Sequence, residues 1–194
     1  SGQATQRPIL RGYSGDRFLI TSDGFELGDM SNTTADHAVS MEISAADGVE
    51  VMRGPETLAY GSSTIAGIIN IITPFKNPKK LSSTNYKLLF GHESSNQSNL
   101  IGSNINIPLK NYQLSMSFND RSANNQSSPA GILENTALDK NDLTLGLTKF
   151  GEKNLISVEF KNFTMDYGIP GSPEGHINGV DLALKNLTQK LKYH

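Results

Sequence analysis

Apolar and polar residues follow two rhythms along this chain, and the change falls near Pro74. Downstream of it the period is two. Ile101, Ser103, Ile105 and Ile107 share one face of an extended segment, Tyr112, Leu114, Met116 and Phe118 a face of the next, and Leu143, Leu145 and Leu147 a face of a third. Ile156, Val158 and Phe160, then Leu187, Gln189, Leu191 and Tyr193, continue the alternation with weaker contrast. The positions between them are mostly Gly, Ser, Asn, Asp, Gln and Thr. Consecutive amphipathic strands predict an antiparallel meander. Its connections alternate in length, short at 109–111 and 151–154 and long over about 121–140 and 168–181.

Upstream the chain is compact and punctuated by glycine. Arg17 to Thr21 reads as a strand ended by a Ser22-Asp23-Gly24 turn, where Gly tolerates positive φ. The segment from Ser31 to Ser40 holds Asp, Asn, Ser and Thr, which compete for the backbone through local hydrogen bonds, and reads as a loop with one helical turn. Pro55 to Tyr60 fits a short helix, with Pro at its first position, Glu56 near its positive end and Gly61 as its stop. Ile68 to Thr73 is β-branched and apolar on both faces except at Asn70, as a strand covered on both sides would be. These elements predict a small mixed sheet with short helices over residues 1–75, followed by a strand-rich unit over 76–194.

Short turns on one side and long loops on the other are the arrangement of outer-membrane barrels. The same period also suits a soluble sandwich with one wet face, so pattern alone leaves both open. Composition removes other classes. A net charge of -2 and pI near 6.1 give no electrostatic footprint for a nucleic-acid partner. Zero Cys excludes disulfides, thiol catalysis and thiolate metal sites. No run of about 18 consecutive apolar residues offers a transmembrane helix, yet a barrel strand crosses with about 9–11 residues of which only alternate ones meet lipid. Gly61-Ser62-Ser63-Thr64 lacks the Lys of a phosphate-binding loop, and no Gly-x-Ser-x-Gly elbow or paired nucleophile and His is present. No catalytic residue is assigned, and the chain does not read as an enzyme.

One ordered set of motifs is more specific. The chain carries Arg11-Gly12, Arg17, Asp23-Gly24, Glu50-Val51-Met52-Arg53-Gly54-Pro55, Leu58, Tyr60-Gly61, Gly67 and Asn70-Ile71-Ile72-Thr73 in that order. This set resembles the second half of the plug domain of TonB-dependent outer-membrane receptors, departing at Ala66, where the family usually has a second Gly. The resemblance implies an α+β plug over 1–75 and the first antiparallel transmembrane strands of a plugged barrel over 76–194. It implies a fragment incomplete at both ends, because six or so strands cannot close a barrel that in this family has about 22. Open edges are not tolerated in lipid, so the fragment by itself is not expected to insert.

What the resemblance implies about sites comes in three parts. Arginines such as Arg11 and Arg53 lock the plug to barrel glutamates in this family, using bidentate geometry and permanent charge. Gly54 and Pro55 form the turn that opens the helix. Asp36-His37-Ala38-Val39, with Asp166-Tyr167-Gly168-Ile169-Pro170-Gly171, resembles the zinc-uptake subgroup. That resemblance makes Asp36 and His37 metal ligands, with Glu174 and His176 in the later loop as the nearest candidates to complete the site; adjacent side chains rarely complete a tetrahedron. The bland reading of all four is polar loop chemistry.

The expected function is energy-coupled uptake at the bacterial outer membrane. A scarce metal or metal chelate, with zinc favoured as transported ligand, would bind outside. Force delivered by TonB through a box preceding this sequence would release it to the periplasm. No cofactor is required; outer-membrane lipid is a partner and nucleic acid is not. A ferric-siderophore receptor is the alternative within the family, and a soluble β-rich adhesin or a passive porin the alternatives outside it.

Overall fold

The computed structural model describes all residues except 1, 2, 6–8, 11, 14–16, 29, 32–36, 42, 44, 45, 61–65, 174 and 175. Its first unit is a four-stranded sheet of β1 (Phe18–Ser22), β2 (Phe25–Glu26), β3 (Gly48–Met52) and β4 (Gly67–Ile72), in the order β2-β1-β4-β3. β4 is central, parallel to β1 and antiparallel to β3, as its isoleucine-rich sequence, apolar on both faces except at Asn70, requires. β1 turns into β2 through Asp23 (φ 57) and Gly24 (φ 88), the pair of positive φ angles that a two-residue hairpin turn needs. Phe18, Ile20, Met41, Ala66 and Ile71 form the core of this unit. The Ala66 methyl thus sits in packed interior, and the departure from Gly at that position is filled and not strained. Gly67 cannot be replaced in this way: its φ is +127 and an added Cβ would lie 2.6 Å from the Met52 carbonyl.

Among the described residues there is no α-helix; Pro55–Tyr60 is a 3-10 helix of six residues. The expected short helix at Pro55–Tyr60 is present, in the tighter 3-10 form. Six residues form too few i to i−4 bonds to offset helix nucleation, and the turn is anchored instead by Thr57, whose amide and hydroxyl both donate to the Gly54 carbonyl. Residues 32–36 of the Ser31–Ser40 loop, and the Gly61 stop, lie outside the described residues.

Asn70 is the polar exception inside β4, and it is 1% exposed. Its Oδ1 accepts from the Thr21 hydroxyl and the Gly24 amide, each at 2.9 Å, and its Nδ2 donates to Glu50 at 3.1 Å. One side chain thereby joins β1, its turn, β4 and β3. Asp23 extends the network, accepting at 2.8 Å from both the amide and the hydroxyl of Thr73.

The second unit is a six-stranded antiparallel sheet. It contains β5 (Asn85–Glu93), β6 (Ser98–Leu109), β7 (Tyr112–Ala123), β10 (Leu138–Phe150), β11 (Leu155–Ile169) and β12 (Val180–Tyr193), each strand beside its sequence neighbour in this order. The excursion between β7 and β10 carries a small hairpin of β8 (Gln126–Ser128) and β9 (Gly131–Leu133). The predicted meander is present. One connection at the long-loop end is short, the turn 94–97 between β5 and β6.

The two faces of this wall are inverted relative to a soluble sheet. Tyr86, Leu88, Phe90, Met116, Leu147, Val158, Leu187 and Leu191 are exposed on one face. On the other, Gln113, Asn119, Asp142, Thr148, Ser157, Glu159 and Lys190 are buried. A soluble sandwich would bury the first set and wet the second. Here the polar face is the one that packs against the first unit.

Replacing Asn70 with Ala leaves the Thr21 hydroxyl and the Gly24 amide buried without their acceptor, a loss of about 2–3 kcal/mol. The expected result is a fall in the urea midpoint of the unit containing β1 to β4, with unchanged slope. An unchanged midpoint would show that water replaces the side chain.

Candidate functional site at the seam between plug sheet and wall

Chemistry in this structure concentrates where the small sheet meets the polar face of the wall. The β1–β2 turn presents Asp23 toward β12, whose inward positions alternate with the apolar row of Leu187, Leu191 and Tyr193 and so place Lys190 opposite the turn. Lys190 Nζ lies 2.9 Å from Asp23 Oδ2 and 3.2 Å from Glu159 Oε1, and donates to Ser22 Oγ at 3.0 Å. The three charged side chains are 5%, 1% and 9% exposed. The ammonium also lies 5.5 Å from the centroid of Phe75 and 5.9 Å from that of Phe25. A cation enclosed in this way has its partners fixed by the fold, its polar ones being Asp23 and Ser22 from the small sheet and Glu159 from the wall.

Other ties run along the same seam. Asn186 Nδ2 donates to the Leu27 carbonyl at 2.7 Å and to Ser40 Oγ at 3.0 Å. Lys192 donates to the Lys76 carbonyl. At the long-loop end the Ala38 amide donates to the Tyr167 hydroxyl at 3.1 Å, and Gln3 reaches the carbonyls of Asn124 and Thr136. Between these ties a cavity of about 240 Å³ is lined by Thr73, Phe75 and Pro78 on one side and by Gln113, Asp142, Glu159 and other wall residues on the other. Within it Lys161 pairs with the buried Asp142 at 2.8 Å.

Glu50 is the exposed end of the Asn70 network. A hydrogen bond from Lys76 at 2.7 Å, and then one from Asn70, hold its carboxyl below the ordinary value of 4.5 against a smaller opposing effect of burial. Because the folded value is the lower one, the contribution of these bonds is complete above pH 4.5 and is lost as pH falls through the lowered value.

The residues singled out from sequence are dispersed. Asp36, Glu174 and Arg11 lie outside the described residues. His37 is half-buried next to Ala38, and so beside the Tyr167 contact. His176 is exposed in the loop that leaves β11 after Ile169, and its carbonyl accepts from Ser172 and Gly179. Both segments are thus brought to the long-loop end. Among the described residues no three His, Asp or Glu side chains are grouped to hold a metal ion. Arg53 is exposed and forms no ion pair with a described residue; Gly54 has φ +84 and Pro55 opens the 3-10 helix. The buried triad of Asp23, Glu159 and Lys190 was not singled out in the sequence. Its only local signal was charge at inward positions of strands whose other phase is apolar.

Removing the cation strands two buried carboxylates. Lys190→Met is expected to cost about 3–5 kcal/mol and to expose the amides of 18–26 to hydrogen exchange. Combining it with Asp23→Asn and Glu159→Gln should restore most of the protection. Loss of equal size in the triple variant would assign the effect to packing. Separately, Glu50→Gln is expected to flatten the acid limb of the pH–stability profile below pH 4.5 and to leave the neutral region less affected in shape.

The comparisons with known proteins agree with this geometry. The family model described as TonB-dependent Receptor Plug Domain matches residues 1–68. The copper transporter OprC shares 20% identity over 98% of this chain and 28% of its own, with a TM-score of 0.73. A mutant of the ferric enterobactin receptor PfeA from Pseudomonas aeruginosa shares 14% identity over 99% of this chain and 33% of its own, with a TM-score of 0.71. The siderophore receptor PirA from Acinetobacter baumannii shares 18% over 88% and 28%, with a TM-score of 0.65. The chain spans between 28% and 33% of the length of these structures. None of them singles out zinc. The outer membrane is the location that the match and the neighbours assign, and the chain carries a TonB-dependent receptor plug match joined to a wall of the same receptor fold.

Proposed function

We propose that residues 1–75 are the second half of a plug and 76–194 the first wall strands of a TonB-dependent receptor that takes up a scarce metal ion or metal chelate. The observation that carries this reading is the inverted wall: apolar side chains outward and polar side chains inward, with a plug-like sheet hydrogen-bonded to the polar face. A passive porin needs no such filling, and an adhesin has no use for an apolar exterior.

In this reading ligand binds at the long-loop end, and force transmitted from TonB through the plug shifts it against the wall. The ligand leaves because its affinity differs between the two plug positions. The seam suits that motion. Its contacts are hydrogen bonds and ion pairs, which water can replace as they open. Arg11 and Arg53 would add further locks, Arg53 by meeting carboxylates of wall strands outside this sequence.

Two substrate readings follow from different observations. Zinc is supported by the Asp36-His37 resemblance and by the placing of His37 and His176 toward the same end of the wall. A ferric siderophore is supported by the likeness to receptors of that class, which fits the fold equally well. The test is accumulation of zinc, copper and ferric chelates in metal-starved cells carrying the complete receptor, with and without a proton gradient. One class should accumulate, and its uptake should stop when the gradient collapses. Uptake that survives the collapse would favour a porin. Asp36→Ala with His37→Ala at matched surface abundance should abolish zinc uptake selectively if the zinc reading holds; unchanged zinc uptake, or ferric chelate as the accumulated class, assigns these residues to loop chemistry.

A further inference from the structure

The two ends of the wall carry opposite charge. At the short-turn end Lys79, Lys80, Lys110, Lys149 and Lys153 are exposed, and Glu152 is the one acidic residue of the segments 74–85, 107–114 and 147–156. At the long-loop end Glu93, Asp120, Asp139 and Asp166 are exposed. The basic end is also gathered by the fold. The Phe150 amide donates to the Asn111 carbonyl at 2.7 Å, which sets the β10–β11 turn beside the β6–β7 turn, and Lys80 Nζ donates to Asn111 Oδ1 at 3.1 Å. Lys80, Lys110 and Lys153 are thereby brought to one foot of the wall, under β7, β10 and β11.

Lys149 joins this foot to the outward face. It stands in the last outward row, Tyr112, Lys149, Ile156 and Tyr193, with its ammonium 5.9 Å from the centroid of the Tyr112 ring. The next row up is wholly apolar: Leu114, Leu147, Val158 and Leu191. Lys110 has φ 55, a left-handed turn position that Gly or Asn would take with less strain, so the backbone supplies no reason for a lysine there. Ammonium groups gathered in this way repel one another, and an anion among them relieves the repulsion. Glu152 supplies one carboxylate for the whole group.

We infer that this foot is a binding site for an anionic phospholipid of the periplasmic leaflet, with the phosphate among Lys110, Lys149 and Lys153 and the acyl chains on the row of Leu114, Leu147, Val158 and Leu191. Two features select that ligand. A free phosphate or an acidic peptide would meet the lysines and leave the apolar row uncovered, whereas an amphiphile covers both at once. A headgroup of net negative charge is drawn to the clustered lysines more strongly than a zwitterionic one. The acidic long-loop end has no such attraction, so the site distinguishes one leaflet from the other. This inference rests on the reading of the chain as part of an outer-membrane barrel.

The test uses the complete receptor in phosphatidylcholine vesicles, with a fluorophore on Ile156→Cys, the outward position between Lys149 and Tyr193. Nitroxide-labelled phosphatidylglycerol and nitroxide-labelled phosphatidylcholine are compared as quenchers. Phosphatidylglycerol should associate about fivefold more strongly, and the preference should shrink as salt is raised. Exchanging all three lysines, Lys110→Gln, Lys149→Gln and Lys153→Gln, should remove the preference and leave quenching by phosphatidylcholine intact. Lys140→Gln with Lys185→Gln, at the other end of the wall, should leave the preference as it was. Equal quenching by the two lipids, or a preference that survives the triple exchange, overturns the proposal while the barrel reading stands. Inorganic phosphate that displaces the labelled phosphatidylglycerol at equal concentration also overturns it, by showing an anion site that needs no lipid. If neither lipid quenches, the barrel reading fails with it.

Discussion

A wall that turns apolar side chains outward must put its polar side chains inward, and those side chains need partners where little water reaches. This constraint organises the molecule. Gln113, Asn119, Asp142, Thr148, Ser157, Glu159 and Lys190 are buried, yet each is a residue that is costly to bury unpaired. Some pairings run within the wall, as between Thr148 and Ser157 at 2.8 Å. Others are completed only across the seam. Lys190, which meets Glu159 within the wall, takes its second carboxylate from Asp23, and Asn186 takes Leu27 and Ser40 as acceptors, so the wall reaches its low-energy arrangement only with the small sheet in place.

The small sheet meets that need because its own polar residues are already organised. Asn70 fixes Thr21 and Gly24, the Asp23-Gly24 turn follows from their positive φ angles, and Thr73 holds both oxygens of Asp23 before Lys190 approaches. A carboxylate pre-positioned in this way loses little freedom when the ion pair forms. An unheld Asp on a turn would lose more, and the pair would be correspondingly weaker. The motif residues Asp23, Gly24, Glu50, Asn70 and Thr73, scattered over the first part of the sequence, are therefore parts of one hydrogen-bonded unit.

Local patterns were readable from the sequence and long-range pairings were not. The run Ile68 to Thr73 announced a central strand because nothing else buries two β-branched faces, and the period of two from Ile101 onward announced the meander. Asp23-Gly24 announced its turn. Lys190 was different: it stands on the inward phase like Thr188 and Lys192, and only the fold shows that Asp23, 167 residues earlier, is its partner. The weaker contrast noted around Phe160 had a physical origin as well, since the apolar phase shifts there from even-numbered to odd-numbered positions between Phe160 and Phe163. The Arg53 lock rested on resemblance, and the described strands supply no carboxylate for it. The metal ligands share this limit, since no local pattern states which loops converge.

The polarity of the seam bears on whether the two units can move against each other. An apolar interface of the same extent would separate with its surface exposed to water, and the free energy would rise in proportion to the area uncovered, at about 25 cal/mol per Å². A polar seam opens differently. Each hydrogen bond that breaks is replaced by one to water, so the net loss per bond is about 0.5–1.5 kcal/mol once water can enter. The cavity of about 240 Å³ already provides room for several waters beside Glu159 and Asp142. The buried triad is the exception, because Lys190 and its carboxylates are enclosed and rehydrate only after the Phe25 and Phe75 rings move away. The resistance of the seam is thus concentrated at one point, where a pull on the β1–β2 turn acts directly on the strongest contact.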